Sequence, residues 1–352
     1  MSDSDDALAE LPRVTVVVPT FNGAPYLAET LTSIAGQTLG GVDVIVVDDG
    51  STDDSARIAE RHPVGATVLM QEHLGVAVAR NRGLAAARSR WVAFLDQDDL
   101  WHPTHLERVV GWLEANSEER IAFVREVAFS LFDEVETLTE MDPLVGGWAT
   151  IRVARDDTLG SLVRRTDSTG GDGVEYHDLA AMLAGPVSVT TSFVADAELL
   201  RLAGGFAPHA LAMDDYWLLV NVARLSKIAH LDLPTVFYRV HASATSRSTR
   251  LGLPFLSSAV ALRLGGGLVD NDTGIGRGTT GNLHEHLLRE LVTSQRFRDR
   301  RYRAIVGALA ILLWPPAGRR WERVRATIAI RLPLLRRWSR AARSAVRRVS
   351  RE

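Results

Sequence analysis

The chain has 352 residues, 46% of them hydrophobic and 24% charged, and its formal net charge is -3. This length and apolar content suffice for one large buried core and exclude an intrinsically disordered chain. Cysteine is absent, which excludes disulfides, thiolate metal sites and a cysteine nucleophile, so any metal would bind to oxygen or imidazole ligands.

Neither a secretory signal nor a membrane span is predicted. Residues 1–12 are acidic and polar, and we expect them to be disordered. They lack the apolar h-region of a signal peptide. The longest apolar run, residues 305–314, is shorter than the about 20 residues that cross a bilayer. The sequence therefore predicts a soluble, cytoplasmic protein.

Four strand–helix units are predicted in succession after this segment, because short β-branched or apolar runs alternate with segments that have apolar residues at helical spacing. In the second unit, Ser51 or Thr52 is expected to cap the helix. Such a succession predicts an α/β fold with a doubly wound, mostly parallel sheet. The predicted strands are 14–20, 42–49, 66–70 and 91–95, and the helical segments are 24–38, 50–60, 75–88 and 102–116.

The fourth strand runs into FLDQDD, which places Asp96, Asp98 and Asp99 within four positions. Three carboxylates this close repel one another unless a cation lies nearby. Ligands of parallel α/β sheets bind beyond the carboxyl ends of the strands, and the first two strands also end in polar residues, PTFN and DDGS. The acidic residues suit Mg²⁺ or Mn²⁺ bridging to substrate phosphates. For DDGSTDD, ordinary turn and cap chemistry is an open alternative.

The turn after the first strand lacks the usual phosphate-binding motifs. PTFNGAPY has one glycine and not the three of a dinucleotide fingerprint, and the chain has no P-loop sequence. If a nucleotide binds here, a divalent cation is expected to neutralise its phosphates.

The stretches VTVVVPTFNGAPYLAETLTSIAGQT, VIVVDDGSTDDS and GVAVARNRGLAAARSRWVAFLDQDD together resemble the nucleotide-sugar-binding half of a family 2 glycosyltransferase, over about residues 13–116. A weaker similarity to the acceptor half follows within residues 117–245, in LLRLAGGF, AMDDYWLLVNVARL and FYRVHASATS. The resemblance implies the GT-A fold.

For the donor, the resemblance implies that Pro19, Thr20 and Asn22 contact the nucleotide. Asp49 would accept a hydrogen bond from the base ring, which favours uracil or thymine. Arg80 would face the base or the phosphates.

For the metal, the resemblance implies that Asp96 contacts the ribose and the metal shell, and that Asp98 binds the metal directly, with Asp99 as the alternative. His241 is a candidate third ligand, and a surface histidine is the alternative. Trp101 is predicted to pack in the protein and not to stack on a sugar.

For the acceptor, the resemblance implies a general base in the pair Asp214 and Asp215, with Asp215 as the base and Asp214 in the substrate site. Inverting transfer is a single displacement, so the acceptor hydroxyl must lose its proton as the sugar–phosphate bond breaks. Simple capping of a helix is the alternative for this pair. Asn221 stands where the family usually has Arg.

The C-terminal part is predicted to be a helical extension. Residues 246–295 include a Gly-rich linker at 265–281, and residues 296–352 contain 17 Arg against three acidic residues. Within 319–352, apolar residues including Trp338 recur on one helical stripe amid arginines, a pattern typical of a helix on an anionic membrane surface. The first alternative is that this segment docks on the acidic remainder of the chain. The second is contact with a nucleic acid, and no nucleic acid is expected as a partner.

The predicted function is metal-dependent, inverting transfer of a sugar from a nucleotide-diphosphate sugar to a glycan or lipid-linked acceptor, in cell-envelope polysaccharide or glycoconjugate synthesis. The chain lacks the Q-x-x-R-W motif of processive members. A position on the inner face of the plasma membrane would suit such an acceptor. Two alternatives are a sugar nucleotidylyltransferase, whose Gly-rich activating loop is absent, and an inactive member that binds carbohydrate or serves as a scaffold.

Overall fold

The computed structural model describes residues 11–131, 151–167, 169–184, 189–208 and 214–241. By its contacts the chain divides into two compact units, and all described residues except Leu183 and Ala184 belong to the first. The predicted Gly-rich linker and Arg-rich tail lie outside the described residues, as do residues 1–10 of the N-terminal segment.

Ten strands form one sheet in the described part of the chain. They are β1 (Val14–Thr20), β2 (Val42–Asp48), β3 (Thr67–Met70), β4 (Trp91–Phe94), β5 (Leu100–Trp101), β6 (Ile121–Leu131), β7 (Ile151–Val153), β8 (Val174–His177), β9 (Phe193–Asp196) and β10 (Ile228–Arg239).

Eight α-helices accompany these strands over the same ranges. They are α1 (Leu27–Ala35), α2 (Ser55–Arg61), α3 (Val76–Ala86), α4 (His105–Ala115), α5 (Thr158–Thr166), α6 (Leu179–Ala184), α7 (Ala197–Leu202) and α8 (Asp214–Val222). No helix of the described ranges is long and apolar enough to cross a membrane.

The sheet order is β3-β2-β1-β4-β9-β6-β10-β5, with β7 joined to β6 and β8 joined to β10. The first four strands are mutually parallel, as the strand–helix succession predicts. Strand β9 is antiparallel to both of its neighbours, β4 and β6. The fold is therefore mixed α/β, with a parallel half that matches the prediction and a second half that sequence patterns did not specify.

The predicted strands and helices of the parallel half are confirmed, with shorter helices than the apolar patterns suggest. Every residue of β1 is buried, because helices and loops cover both faces of a parallel sheet. Helix α3 lies close to β1 at Gly83, where a β-carbon would stand 2.2 Å from Cγ1 of Val17. Only glycine allows this close packing of the helix on the strand.

The second half of the sheet contains a long strand that the strand–helix succession did not predict. Residues 121–131 are a nearly continuous buried strand, β6, which pairs with β10 over most of its length. Its Glu126 and Ser130 hid the strand pattern, because a polar residue in a buried strand breaks the apolar run on which the prediction depends. Both side chains are buried.

Candidate functional site

The turn that follows β1 is held by a side chain from the acidic stretch. Gln97 Oε1 accepts hydrogen bonds from the Thr20 hydroxyl at 2.7 Å and from the Phe21 backbone N–H at 2.9 Å. Pro19 is a buried residue of β1 paired with Val47. Sequence reasoning missed Gln97, because its hydrogen-bond partners in the turn after β1 are more than 70 positions away in the chain.

The same turn is joined to the loop after β2. Asn22, at φ 51°, accepts at Oδ1 from the Thr52 backbone N–H at 2.8 Å, and its own N–H donates to the Ser51 hydroxyl. The prediction that Ser51 or Thr52 caps the following helix is wrong: α2 begins at Ser55 with Asp54 at its N-cap. Ser51 and Thr52 instead connect the two turns through these hydrogen bonds to Asn22. The side-chain oxygen of Asn22, a residue expected to contact the nucleotide, therefore already accepts a hydrogen bond from the protein.

Asp49 is buried and holds the loop between β3 and α3. Its Oδ1 accepts from Gln71 Nε2 and the Leu74 N–H, and its Oδ2 accepts from the Gly75 N–H. His73 Nδ1 lies 2.9 Å from Oδ2. With four donors around it, the carboxylate is saturated. A base N–H would have to displace one of the two side-chain donors.

His73 also stacks on an exposed aromatic ring beside this carboxylate. The ring centroids of His73 and Phe21 are 3.9 Å apart, at an interplanar angle of 20°. Phe21 is 38% exposed. Phe21 directly follows β1 and His73 lies in the loop after β3, so the stacked pair forms a partly exposed aromatic surface at the carboxyl ends of these strands.

Arg80 is buried between two carboxylates. One Nη donates to Asp96 Oδ1 at 2.7 Å and the other to Asp214 Oδ2 at 2.8 Å. Although burial disfavours the charged form, the carboxylates raise the pKa of Arg80 above its usual value. The expectation that Arg80 faces the base or phosphates does not match this geometry, because both terminal nitrogens are engaged by protein carboxylates.

Each carboxylate of FLDQDD meets a different protein partner. Asp96 meets Arg80, and burial still raises its pKa despite that cation. Asp98 Oδ2 lies 3.0 Å from His241 Nε2, and the Tyr26 hydroxyl lies 3.2 Å from the other ring nitrogen of His241. His241 is 3% exposed, so the alternative of a surface histidine is wrong.

Asp99 faces the protein interior. It is 1% exposed, and its Oδ1 accepts from the Arg239 backbone N–H at 2.9 Å. Burial and the neighbouring Asp98 and Asp96 charges raise the pKa of Asp99 well above its usual value. The Arg239 guanidinium donates to the Asp98 carbonyl and to Glu29. These contacts fix the end of the acidic stretch against β10, and they distinguish the interior Asp99 from the partly exposed Asp98.

Asp214 and Asp215 open helix α8. Asp214 is buried against Arg80, while Asp215 Oδ2 accepts from the Thr190 hydroxyl at 3.0 Å and Oδ1 from the Tyr216 N–H. Burial and the Asp214 charge raise the pKa of Asp215 to about 6, although Arg80 opposes the shift. Nothing in the sequence around Thr190 indicated this contact.

The structure thus brings Arg80, Asp96, Asp214 and Asp215 into one cluster, and Asp98 and His241 into a pair. Asp49 and Asn22 hold loops. No group of three or more His, Asp or Glu residues in the described ranges is arranged to hold a metal. Trp101 is fully buried, and its indole N–H donates to the Thr191 carbonyl, which agrees with the predicted packing role.

Comparison with known proteins finds relatives of the part of the chain that contains Arg80, Asp96 and Asp98. Residues 15–164 match the family model described as "Glycosyl transferase family 2". The chain is 36% identical over 110 residues to TuaG of Bacillus subtilis (strain 168), a putative teichuronic acid biosynthesis glycosyltransferase, covering 30% of this chain and 44% of TuaG. It is 36% identical over 111 residues to the succinoglycan biosynthesis protein ExoO of Rhizobium meliloti (strain 1021), covering 31% of this chain and 32% of ExoO. These matches span less than half of the relatives' own length.

The fold comparison extends further along the chain. The crystal structure of S. aureus TarS residues 1–349, in complex with UDP-GlcNAc, matches 94% of this chain and 87% of that 1–349 chain with a TM-score of 0.57 and 19% sequence identity. At this identity the likeness concerns the fold. It agrees with the mixed sheet described above.

Proposed function

We propose that this chain is an inverting, non-processive family 2 glycosyltransferase with the GT-A fold, a proposal supported by the match of residues 15–164 to that family model and by the fold likeness to TarS. The donor is a nucleotide-diphosphate sugar, and the acceptor is a hydroxyl of a glycan or a lipid-linked saccharide. One observation carries the proposal: Arg80 joins Asp96, at the end of the donor-side strand, to Asp214, which adjoins Asp215 on α8.

Asp215 is the proposed general base. The acceptor oxygen attacks the anomeric carbon, the bond from that carbon to the phosphate oxygen breaks, and its electron pair leaves with the nucleotide diphosphate. The acceptor proton passes to Asp215. A base works best when its pKa is near the working pH, and the raised pKa of Asp215, about 6, suits this role. Thr190 orients the carboxylate by its hydrogen bond.

The residues of the acidic stretch fit a divalent cation. Asp98 and His241 face each other and offer a hard oxygen and an imidazole nitrogen. Mg²⁺ and Mn²⁺ commonly take one or two protein ligands and fill the remaining positions with substrate phosphates and water. We assign the metal to Asp98 and His241 and not to the interior Asp99. When bound, the cation would neutralise charge on the diphosphate leaving group.

The donor base is proposed to lie at the aromatic surface of Phe21 and His73, beside Asp49. A uracil or thymine ring offers an N–H that Asp49 can accept once Gln71 or His73 moves aside. UDP- and dTDP-sugars are therefore the favoured donors.

The names of two relatives support a proposal for the acceptor class. TuaG and ExoO are named for teichuronic acid and succinoglycan biosynthesis, and we propose that this chain likewise extends a cell-envelope or extracellular polysaccharide.

We further propose that residues 319–352 hold the enzyme to an anionic membrane, at the inner face of the plasma membrane. Their arginines and apolar stripe support both attraction to the surface and shallow insertion.

The proposed activity is tested with a donor panel. UDP-, dTDP- and GDP-sugars are compared by thermal shift with and without Mn²⁺, and each donor that binds is then assayed for nucleotide-diphosphate release with a panel of acceptors. We expect a metal-dependent shift with a UDP- or dTDP-sugar and acceptor-stimulated release. Acceptor-independent formation of pyrophosphate from a sugar phosphate and a nucleoside triphosphate would instead favour the nucleotidylyltransferase. Donor binding without release, across all acceptors, would favour the inactive binding protein.

A further inference from the structure

Arg80 is one of the most constrained side chains of the described residues. Its side chain is 6% exposed, its two terminal nitrogens donate to Asp96 and Asp214, and its guanidinium lies 5.3 Å from the centroid of the Phe206 ring. Carboxylates on opposite sides of a planar fork restrict both the position and the tilt of the group. Arg80 is therefore a fixed bridge.

The two carboxylates that Arg80 joins belong to different parts of the site. Asp96 follows β4, at the edge of the sheet where the donor is proposed to bind. Asp214 is the first residue of α8, and Asp215 is the second. A shift of Arg80 would therefore move the beginning of the helix that carries the proposed base, relative to the donor side.

The neighbouring residue of α3 holds the same region by a second contact. Asn81 Nδ2 donates to the Phe206 carbonyl and Asn81 Oδ1 accepts from the Phe206 N–H. Gly205 adopts φ 68°, and a β-carbon there would stand 2.5 Å from Asn81 Oδ1. Arg80 and Asn81 are consecutive residues of α3. Arg80 holds the beginning of α8 through Asp214, and Asn81 holds the turn at Gly205 and Phe206.

We propose that Arg80 is a positioning residue for transfer, which fixes the base-bearing end of α8 against the donor side and keeps Asp215 in its ionised form. The inference rests on the proposed role of Asp215 as base. Arg80 acts through Asp214 and through its charge, without contact with the reacting atoms.

The charges around Asp215 support this role. Within the described ranges, Asp214 on the same helix opposes ionisation of Asp215, Arg80 on α3 favours it, and the Thr190 hydroxyl and the Tyr216 N–H donate to the ionised carboxylate. Arg80 is the cation of this set. An opposite charge close to a carboxylate lowers its pKa by roughly 1 to 3 units, so loss of the guanidinium should make Asp215 harder to ionise.

The test compares Arg80→Met, Arg80→Lys and a control, Arg82→Met. Arg82 lies on the same helix, is exposed, and donates to the Met70 carbonyl, so the control removes an equal charge two residues away. For each full-length variant, kcat is measured against pH at saturating donor and acceptor. The Asp215 carboxyl is titrated separately by ¹³C NMR, with its signal assigned by its loss in Asp215→Asn. The titration requires no turnover.

In Arg80→Met we expect the midpoint of the Asp215 titration, and of the acid limb of kcat, to move up by about one pH unit or more. Arg80→Lys keeps the charge but not the fork, so the midpoint should stay near that of the wild type while kcat falls by roughly tenfold or more with unchanged donor Kd. Arg82→Met should match the wild type in both measurements.

An unchanged NMR midpoint in a folded Arg80→Met variant would overturn the proposal. If Arg80→Met does not fold, wild-type kcat in Arg80→Lys would overturn it. Failure of the proposed function has a different result: no donor and acceptor pair gives transfer with the wild type, whereas the NMR midpoint still responds to Arg80.

Discussion

His241 Nε2 lies 3.0 Å from Asp98 Oδ2, although the two residues are separated by more than 140 positions in the chain. The pair lies where β10 ends beside the acidic stretch. Arg239 holds the two segments together, because its guanidinium donates to the Asp98 carbonyl and its backbone N–H donates to the Asp99 carboxylate. At this distance the imidazole and the carboxylate either share a hydrogen bond or bind one cation together.

If the pair binds a divalent cation, nucleotide affinity and turnover should collapse in EDTA and return with Mn²⁺ or Mg²⁺. Asp98→Asn should imitate the chelator, because an amide oxygen is a weaker ligand than a carboxylate. Calorimetric titration of Mn²⁺ in the presence of UDP checks the metal affinity apart from turnover. Asp156→Asn, at an exposed position, is the control. Full turnover in EDTA would contradict the metal assignment.

Asp215→Asn should affect chemistry and spare donor binding. The amide preserves the shape of the side chain but cannot take a proton, so kcat should fall by roughly 100-fold or more while the donor Kd changes little. Rapid-quench turnover and equilibrium donor binding, measured on the same preparation, check this. Near wild-type kcat would place the base elsewhere.

The raised pKa of Asp215 predicts the pH dependence of the wild type. The carboxylate predominates above about pH 6 and its protonated form below, so kcat should rise with pH through this range and fall by about tenfold per unit well below it. A kcat profile from pH 4.5 to 9 is the measurement. A rate that rises as the pH falls would rule out ionised Asp215 as the base.

A pair of glycine substitutions tests the packing of α3 on the sheet. Gly83→Ala places a methyl group within 2.2 Å of a Val17 methyl carbon, and overpacking of this kind costs about 1–3 kcal/mol. Gly111 of α4 has open space at the same position, so Gly111→Ala should stabilise the protein by about 0.5–1 kcal/mol. Thermal unfolding of both variants compares them. Equal effects would mean that α3 moves freely on the sheet.

The membrane proposal for residues 319–352 predicts binding to anionic vesicles. Full-length protein should sediment with phosphatidylglycerol liposomes, less so at high salt, because exposed charges are screened. A truncated protein ending at residue 295 should remain in the supernatant. If the full-length protein also stays in the supernatant at low salt, docking of the arginines on the acidic remainder of the chain becomes the better explanation.

The parallel half of the fold was predictable because its signals are local. Each of the first four strands is a short apolar run followed by a helical pattern, and the polar residues that end them gather at one edge of the sheet by a general rule. The second half depends on pairings between distant residues. Nothing in the tetrapeptide FVAD of β9 indicates that it inserts between β4 and β6.

The sequence named several residues that the structure brings together, and it did not specify the directions of their side chains. The resemblance selected Arg80 and the aspartates. It did not indicate that the Arg80 guanidinium donates to Asp96 and Asp214. Side-chain direction depends on what the fold places nearby, here α8 from 134 positions away. Gln97 and Thr190 were missed for the same reason: their hydrogen-bond partners come from other segments.

The insertion of β9 between β4 and β6 also governs how the chain can be divided. A donor half ending near residue 116 would leave β4, with its buried residues Trp91–Phe94, as an exposed edge strand. An apolar edge without a partner is a template for intermolecular pairing. Because the strand that covers it arrives about 100 residues later, a nascent chain must complete a distant loop closure before this edge is protected, and such closures are slow. We therefore expect the proposed donor and acceptor halves to fold as one unit, so that neither can be exchanged between relatives as an independent domain.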